Sequence, residues 1–129
     1  MKTHQTFRTY FLGVSVGLCA VLAFTSHANG GDYDAHYTAL LSKNDHYNSK
    51  GDRLTSVADV PRQDRANYHN GDGDAFDEDD QGYFSTRKAR NRFSSHKISL
   101  NGISAREIAN GTPLVIVEVH GDTIYVFSE

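Results

Sequence analysis

Apolar and polar positions are most regular near the C-terminal end of the chain. Leu114 to Val119 and Thr123 to Phe127 are two runs rich in β-branched and aromatic residues, the composition of strands. Between them Gly121-Asp122 suits a two-residue turn with glycine first. In that register Val119 lies opposite Ile124 and Val117 opposite Val126. Val115, Val117, Val119, Ile124 and Val126 then share one face, the expected centre of the core. The other face carries Leu114, Ile116, Glu118, Tyr125 and Phe127, too apolar to sit wholly in water. A lone hairpin is marginal, so helices must cover one face. A further segment, an added strand or another molecule must cover the second. Ile98-Ser99-Leu100 is long enough to supply an edge strand.

Upstream, the pattern predicts short helices. Tyr33, Tyr37, Leu40 and Leu41 fall at i, i+4, i+7 and i+8, which predicts a helix over 32–43 with Asp32 as its cap. Asn44 and Asp45 are its stop residues. A polar turn follows at Asn48–Asp52. A second helix runs to about His69. Ser56 with Asp59 resembles a cap but would set Pro61 where its missing N–H breaks an early helical bond. The helix therefore either starts at Asp59, with Pro61 in the first turn, or kinks. Ser85 is positioned to cap a third helix with Ala89 and Phe93 on its inner side. Ser104-Ala105-Arg106-Glu107 is a capping box, with Ile103 and Ile108 as its hydrophobic staple and Gly111 closing the end. The expected fold is therefore α+β: three or four short helices packed on a C-terminal β-hairpin or small antiparallel sheet.

The N-terminal 28 residues read differently. Lys2 and Arg8 precede an apolar run from Tyr10 to Phe24, followed by Thr25-Ser26-His27-Ala28. Basic, apolar and small-residue regions in that order make a secretory signal peptide, cleaved after Ala28. The run is about 15 residues, short of the ~20 that span a bilayer, so no membrane span is expected after cleavage. The predicted product, residues 29–129, is a single domain exported to the periplasm or the extracellular space. The chain has 13 Lys+Arg and 16 Asp+Glu, a formal charge of −3. Lys2 and Arg8 go with the leader, leaving 11 basic against 16 acidic side chains. The sole cysteine, Cys19, goes too, so the exported part has no disulfide to lean on. An acid excess also argues against nucleic acid as the main partner.

Candidate chemistry is sparse. Asn70 to Gly82 holds six carboxylates in thirteen residues, an acidic loop that like charges and glycine keep out of regular structure. Asp72, Asp74, Asp77 and Asp79 alternate as Ca²⁺ ligands do, so Ca²⁺ is the one cofactor the sequence suggests. Neither EF-hand frame passes. Counting from Asn70 puts Ala75 at the glycine position and Gln81 at the bidentate position, and counting from Asp77 puts Lys88 there. The simpler expectation is a solvated loop paired with the basic stretch Arg87–Lys97, folding back across that helix's first turn. His69 with Asp72 and Asp74 is the nearest approach to a transition-metal set. There is no nucleophile elbow, no phosphate loop and no thiol, so no catalytic residue is nominated and a non-enzyme is expected. Ile116, Tyr125 and Phe127, on the spare hairpin face, are the candidate contacts for a protein partner or for self-association.

Ser42-Lys43-Asn44-Asp45-His46-Tyr47-Asn48, then Gly51-Asp52-Arg53-Leu54-Thr55-Ser56-Val57-Ala58-Asp59-Val60, then Gln63-Asp64-Arg65-Ala66-Asn67-Tyr68-His69 resemble a group of small exported bacterial proteins without assigned function. The likeness extends through Asn110-Gly111-Thr112-Pro113-Leu114-Val115 and the final strands, and so covers most of the exported part; Pro61 departs from it. The resemblance implies a bacterial envelope or extracellular setting and supplies no mechanism. The expected function is an exported, non-enzymatic binding or protective module acting through a protein partner. The alternative is a Ca²⁺-responsive protein using the acidic loop.

Overall fold

A computed structural model describes residues 32–129, and the predicted leader (1–28) lies outside them. The elements in chain order are β1 (Ala35–Leu40), a 3-10 turn (Lys43–His46), α1 (Asp59–His69), α2 (Arg87–Arg90), α3 (Arg92–Ser95), β2 (Lys97–Asn101), α4 (Ala105–Asn110), β3 (Leu114–His120) and β4 (Thr123–Ser128). The strands form one sheet in the order β1-β3-β4-β2, and the fold is α+β.

The hairpin β3-β4 has the expected register, with Val119 opposite Ile124 and Val117 opposite Val126. Gly121 takes a φ of 55° in the connecting turn, a left-handed conformation that glycine adopts without a Cβ clash. Val115, Val117, Val119, Ile124 and Val126 are all fully buried. β2 does supply an edge strand, but it runs parallel to β4, so the sheet is mixed rather than antiparallel. The connection from β2 to β4 passes through α4 and β3, which allows the parallel pairing. In α4 the Ser104–Glu107 capping box is formed, and Ile103 and Ile108 both enter the core. Gly111 closes the helix through its N–H to Glu107 O at 2.8 Å. A Cβ there would stand 2.8 Å from that same oxygen.

The helix expected over 32–43 is a strand. Ala35, Tyr37, Ala39 and Leu41 are buried in strict alternation, and Ala35–Leu40 pairs antiparallel with β3 from Val119 to Leu114. The helical spacing of Tyr33, Tyr37, Leu40 and Leu41 is coincidental. The true core positions include two alanines, which carry little apolar weight in a sequence pattern but let the sheet lie close to the helices. Pairing with a hairpin that needs a neighbour overrides local propensity. Asn44 and Asp45 are not stop residues but part of the 3-10 turn, which has its own capping box between Ser42 and Asp45.

α1 begins at Asp59 as expected, with Pro61 buried in its first turn and Ser56 Oγ accepting from the Asp59 N–H at 2.8 Å. The basic helix is capped by Thr86 rather than Ser85 and breaks at Asn91 into α2 and α3. Phe93 stacks on Phe84 at 4.6 Å between ring centroids, and Phe84 packs edge-on against Tyr37. These rings join the helical layer to the sheet.

The acidic loop does not fold across the basic helix. It lies along the outer edge of β1, where Glu78 N–H donates to Thr38 O at 2.8 Å. Thr38 N–H donates to Glu78 Oε2 at 2.9 Å, and Leu40 N–H donates to Asp77 Oδ1 at 2.9 Å. Carboxylates thus satisfy backbone donors that an edge strand leaves open. Among the described residues no ion pair joins the acids of 70–82 to the cations of Arg87–Lys97. Asp77→Ala removes the acceptor for both Leu40 and Asp74 and is expected to cost about 1–2 kcal/mol in urea denaturation. It also bares part of the β1 edge, so light scattering is expected to report increased self-association of the variant.

Candidate functional site

Among the described residues, helices cover one face of the sheet and no element covers the other. Because side chains alternate along a strand, the register fixes what the open face displays. Thr38, Ile116, Phe127 and Asn101 form one row across the four strands, and His36, Glu118, Tyr125 and Ser99 form the next. Leu40 and Leu114 pair beyond Ile116. None of Leu40, Leu114, Ile116, Tyr125 or Phe127 belongs to the core cluster or packs against it. All five are half-buried. The three sequence-nominated contacts Ile116, Tyr125 and Phe127 therefore share one surface, with the Tyr125 and Phe127 rings nearly parallel at 6.3 Å.

Beside this patch two histidines converge on one carboxylate, a grouping the sequence reading missed. His120 Nε2 lies 3.1 Å from Glu118 Oε2, and His36 Nε2 lies 4.0 Å from Glu118 Oε1. The strand register could have revealed it, since His36 sits opposite Glu118 only once β1 is read as a strand. His120 also packs edge-on against Tyr125 at 5.4 Å and places Nδ1 2.8 Å from Asp32 O. Its hydrogen bond to Glu118 raises the imidazole above its ordinary value.

The four loop aspartates are differently placed. Asp77 Oδ1 serves Leu40 and Asp77 Oδ2 accepts from Asp74 N–H at 2.6 Å. Asp79 Oδ1 accepts from Gln81 N–H, and Asp72 is exposed. Among the described residues no three His, Cys, Asp or Glu side chains are grouped so as to hold a metal ion. The His69 ring contacts Asp80, with Nε2 3.0 Å from Oδ2, and lines an open surface hollow with Asp74. Phe76, in the same loop, is 63% exposed.

The densest chemistry is internal. Arg65 is fully buried, with its guanidinium 4.1 Å from the Tyr37 ring centre and 4.5 Å from that of Tyr68. Its Nε donates to Asp64 Oδ2 at 2.7 Å and its Nη1 to Glu78 O at 2.9 Å. Asp80, also buried, places Oδ2 3.9 Å from Nη1 and 3.0 Å from His69 Nε2. Tyr37 Oη, Asp64 Oδ1 and Arg65 Nη2 are buried without a hydrogen-bond partner among the described residues. Burial pushes the Asp64 carboxyl up to about 8 against the opposing pull of Arg65, and burial also raises Asp45 and Tyr37. Asp64-Arg65 gave no sign in the sequence, because an acid–base neighbour pair on a helix normally marks a solvated face.

No family model, curated protein or solved structure matches the chain. Among the described residues no helix is long and apolar enough to cross a membrane.

The buried pair generates two expectations. Arg65→Met strands buried acceptors and is expected to lose about 3 kcal/mol or more in urea unfolding. Arg65→Lys is expected to fail as a rescue, because an ammonium lacks the planar fork that fits between two rings. Separately, the folded state keeps a proton on Asp64 that the unfolded chain, with its ordinary value of 3.8, releases at lower pH. This group's contribution to stability therefore falls as pH rises from about 4 to about 8. Unfolding free energies at about pH 5 and about pH 8 check this, and Asp64→Asn is expected to flatten the slope.

Proposed function

We propose that the protein is an exported, non-enzymatic binding module that acts through a protein partner held on the open face of its sheet. The observation that supports this reading is a continuous apolar and aromatic stripe, Leu40, Leu114, Ile116, Phe127 and Tyr125, that stands outside the core. Aromatic residues within a polar rim are the usual centre of an interface. The rim is mainly acidic: Glu118 lies on the face, and Asp34, Asp122 and Glu129 lie at the strand ends, with Lys97 as the basic exception. The fitting partner therefore presents apolar side chains flanked by Lys or Arg.

Export rests on the leader pattern of residues 1–28, and no catalytic role is assigned. The test is chemical crosslinking in native envelope and extracellular fractions, comparing wild type with a Tyr125→Ser/Phe127→Ser double variant. Both substitutions lie outside the core, so the melting temperature is expected to stay within a few degrees. Wild type is expected to yield a crosslinked partner that the variant loses, with capture weakened by added salt. Equal capture by both proteins, or monomer alone in size exclusion with nothing crosslinked, overturns the reading.

A further inference from the structure

A cavity of about 290 Å³ opens between the 3-10 turn, the Arg53 segment and the C-terminal end of α4. Its chemistry is opposite to that of the chain as a whole. Lys43 and Arg53 both line it and no Asp or Glu does, although the chain carries a net negative charge. Neither cation has an ion-pair partner among the described residues.

Arg53 is held in place. Its Nη2 donates to Ala109 O at 3.1 Å and to Asn110 Oδ1 at 3.4 Å, where the end of a helix favours a cation. A backbone bridge between Tyr47 and Arg53 closes the intervening turn, and the guanidinium stands 6.0 Å from the centre of the Tyr47 ring. Nη1 and Nε make no hydrogen bond within the described residues, so single N–H donors of an oriented guanidinium are left for a ligand. His46 forms the floor, buried with Nδ1 2.7 Å from Ser42 O and Nε2 2.9 Å from Ile108 O, so both ring nitrogens face backbone carbonyls. Tyr47, 45% exposed, supplies an aromatic wall, and Thr112 adds a hydroxyl.

We propose that this cavity binds a small organic carboxylate, its anionic end between Lys43 and Arg53 and its flat apolar body against Tyr47. An oriented Arg N–H donor and the Lys43 ammonium give a carboxylate both hydrogen bonds and opposite charge. The volume sits at the lower end of the ~300–1,000 Å³ range of ligand sites, which limits the ligand to one ring or one terminal residue of a peptide. The site is separate from the sheet face and does not depend on the partner reading.

The test is an NMR titration of the ¹⁵N-labelled protein with benzoate, with benzamide as the uncharged isostere. Benzoate is expected to give saturable shifts at Lys43–Tyr47, Arg53 and Asn110–Thr112, and benzamide none there. Arg53→Gln is expected to weaken benzoate about tenfold. Lys43→Gln, at an exposed position that cannot compromise folding, is expected to weaken it severalfold. Acetyl-Gly-Phe and its C-terminal amide distinguish the two sources of such a carboxylate: tighter binding of the free acid than of benzoate identifies a peptide terminus, and weaker binding a free small acid. Equal shifts from benzoate and benzamide, or benzoate affinity unchanged in the Lys43→Gln and Arg53→Gln variants, overturn the assignment.

Discussion

A guanidinium sealed from water is the constraint around which this domain is arranged. Burying a charge costs several kcal/mol unless it is paired and hydrogen-bonded, and Arg65 meets that cost with groups from three separate parts of the chain. α1 provides Asp64 and Tyr68, β1 provides Tyr37, and the acidic loop provides the Glu78 carbonyl and Asp80. Hydrophobic contact between α1 and the sheet would tolerate sliding and rotation, because burial has no preferred direction. A planar fork stacked between two rings does not. Arg65 thus fixes how the helix sits on the sheet and where the loop meets both.

The acidic loop takes its shape from that anchor. With Glu78 O tied to Arg65 and Asp80 held between Arg65 and His69, the residues immediately before them are delivered to the edge of β1. There Asp77 and Glu78 accept from Leu40 and Thr38. Gln81, directly after Asp80, adopts a φ of 54°, uncommon for a residue with a side chain, where the chain turns out of this anchored segment. Of the four aspartates spaced like ion ligands in the sequence, Asp77 and Asp79 accept from backbone amides, while the Asp72 and Asp74 side chains accept no hydrogen bond among the described residues. The loop is therefore a cover strip for an exposed strand, one of the devices by which sheets avoid pairing with neighbours.

How far the sequence could reveal this depended on how local each signal was. The hairpin, the Gly121-Asp122 turn, the α4 capping box and the Asp59 start of α1 all rest on residues within a few positions of one another, and each is found in the structure. β1 failed because its identity is non-local. Ala35 and Ala39 read as neutral in a pattern, and only the opposite strand, about 80 positions away, makes alternation the relevant period. The same error concealed the His36–Glu118–His120 group, which exists only across the β1-β3 ladder. Arg65 was illegible for a stronger reason. A basic side chain beside an acid on a helix is almost always solvated, and nothing in its own neighbourhood announces that Tyr37 and Asp80 will close over it. The surplus of apolar side chains on the second hairpin face was legible in Ile116, Tyr125 and Phe127. Whether the chain's own helices cover that face was not, because that depends on where distant segments pack.

The distribution of charge then separates two scales of recognition. The net negative charge acts over a Debye length of about 8–10 Å, far enough to bias which proteins approach and in which orientation. Lys43 and Arg53 reduce that field only slightly, because the chain's acids outnumber its cations. They act mainly within contact range, inside a cavity from which carboxylate side chains are excluded. On the proposed reading, a large partner with basic flanks is drawn toward the acidic rim of the sheet face, and its positive charges are repelled by the cationic cavity. A small carboxylate experiences the reverse: weak repulsion during approach and two cations on arrival. The same surplus of acids that favours one class of ligand on the sheet therefore keeps that class out of the cavity, and the two surfaces do not compete for each other's ligands.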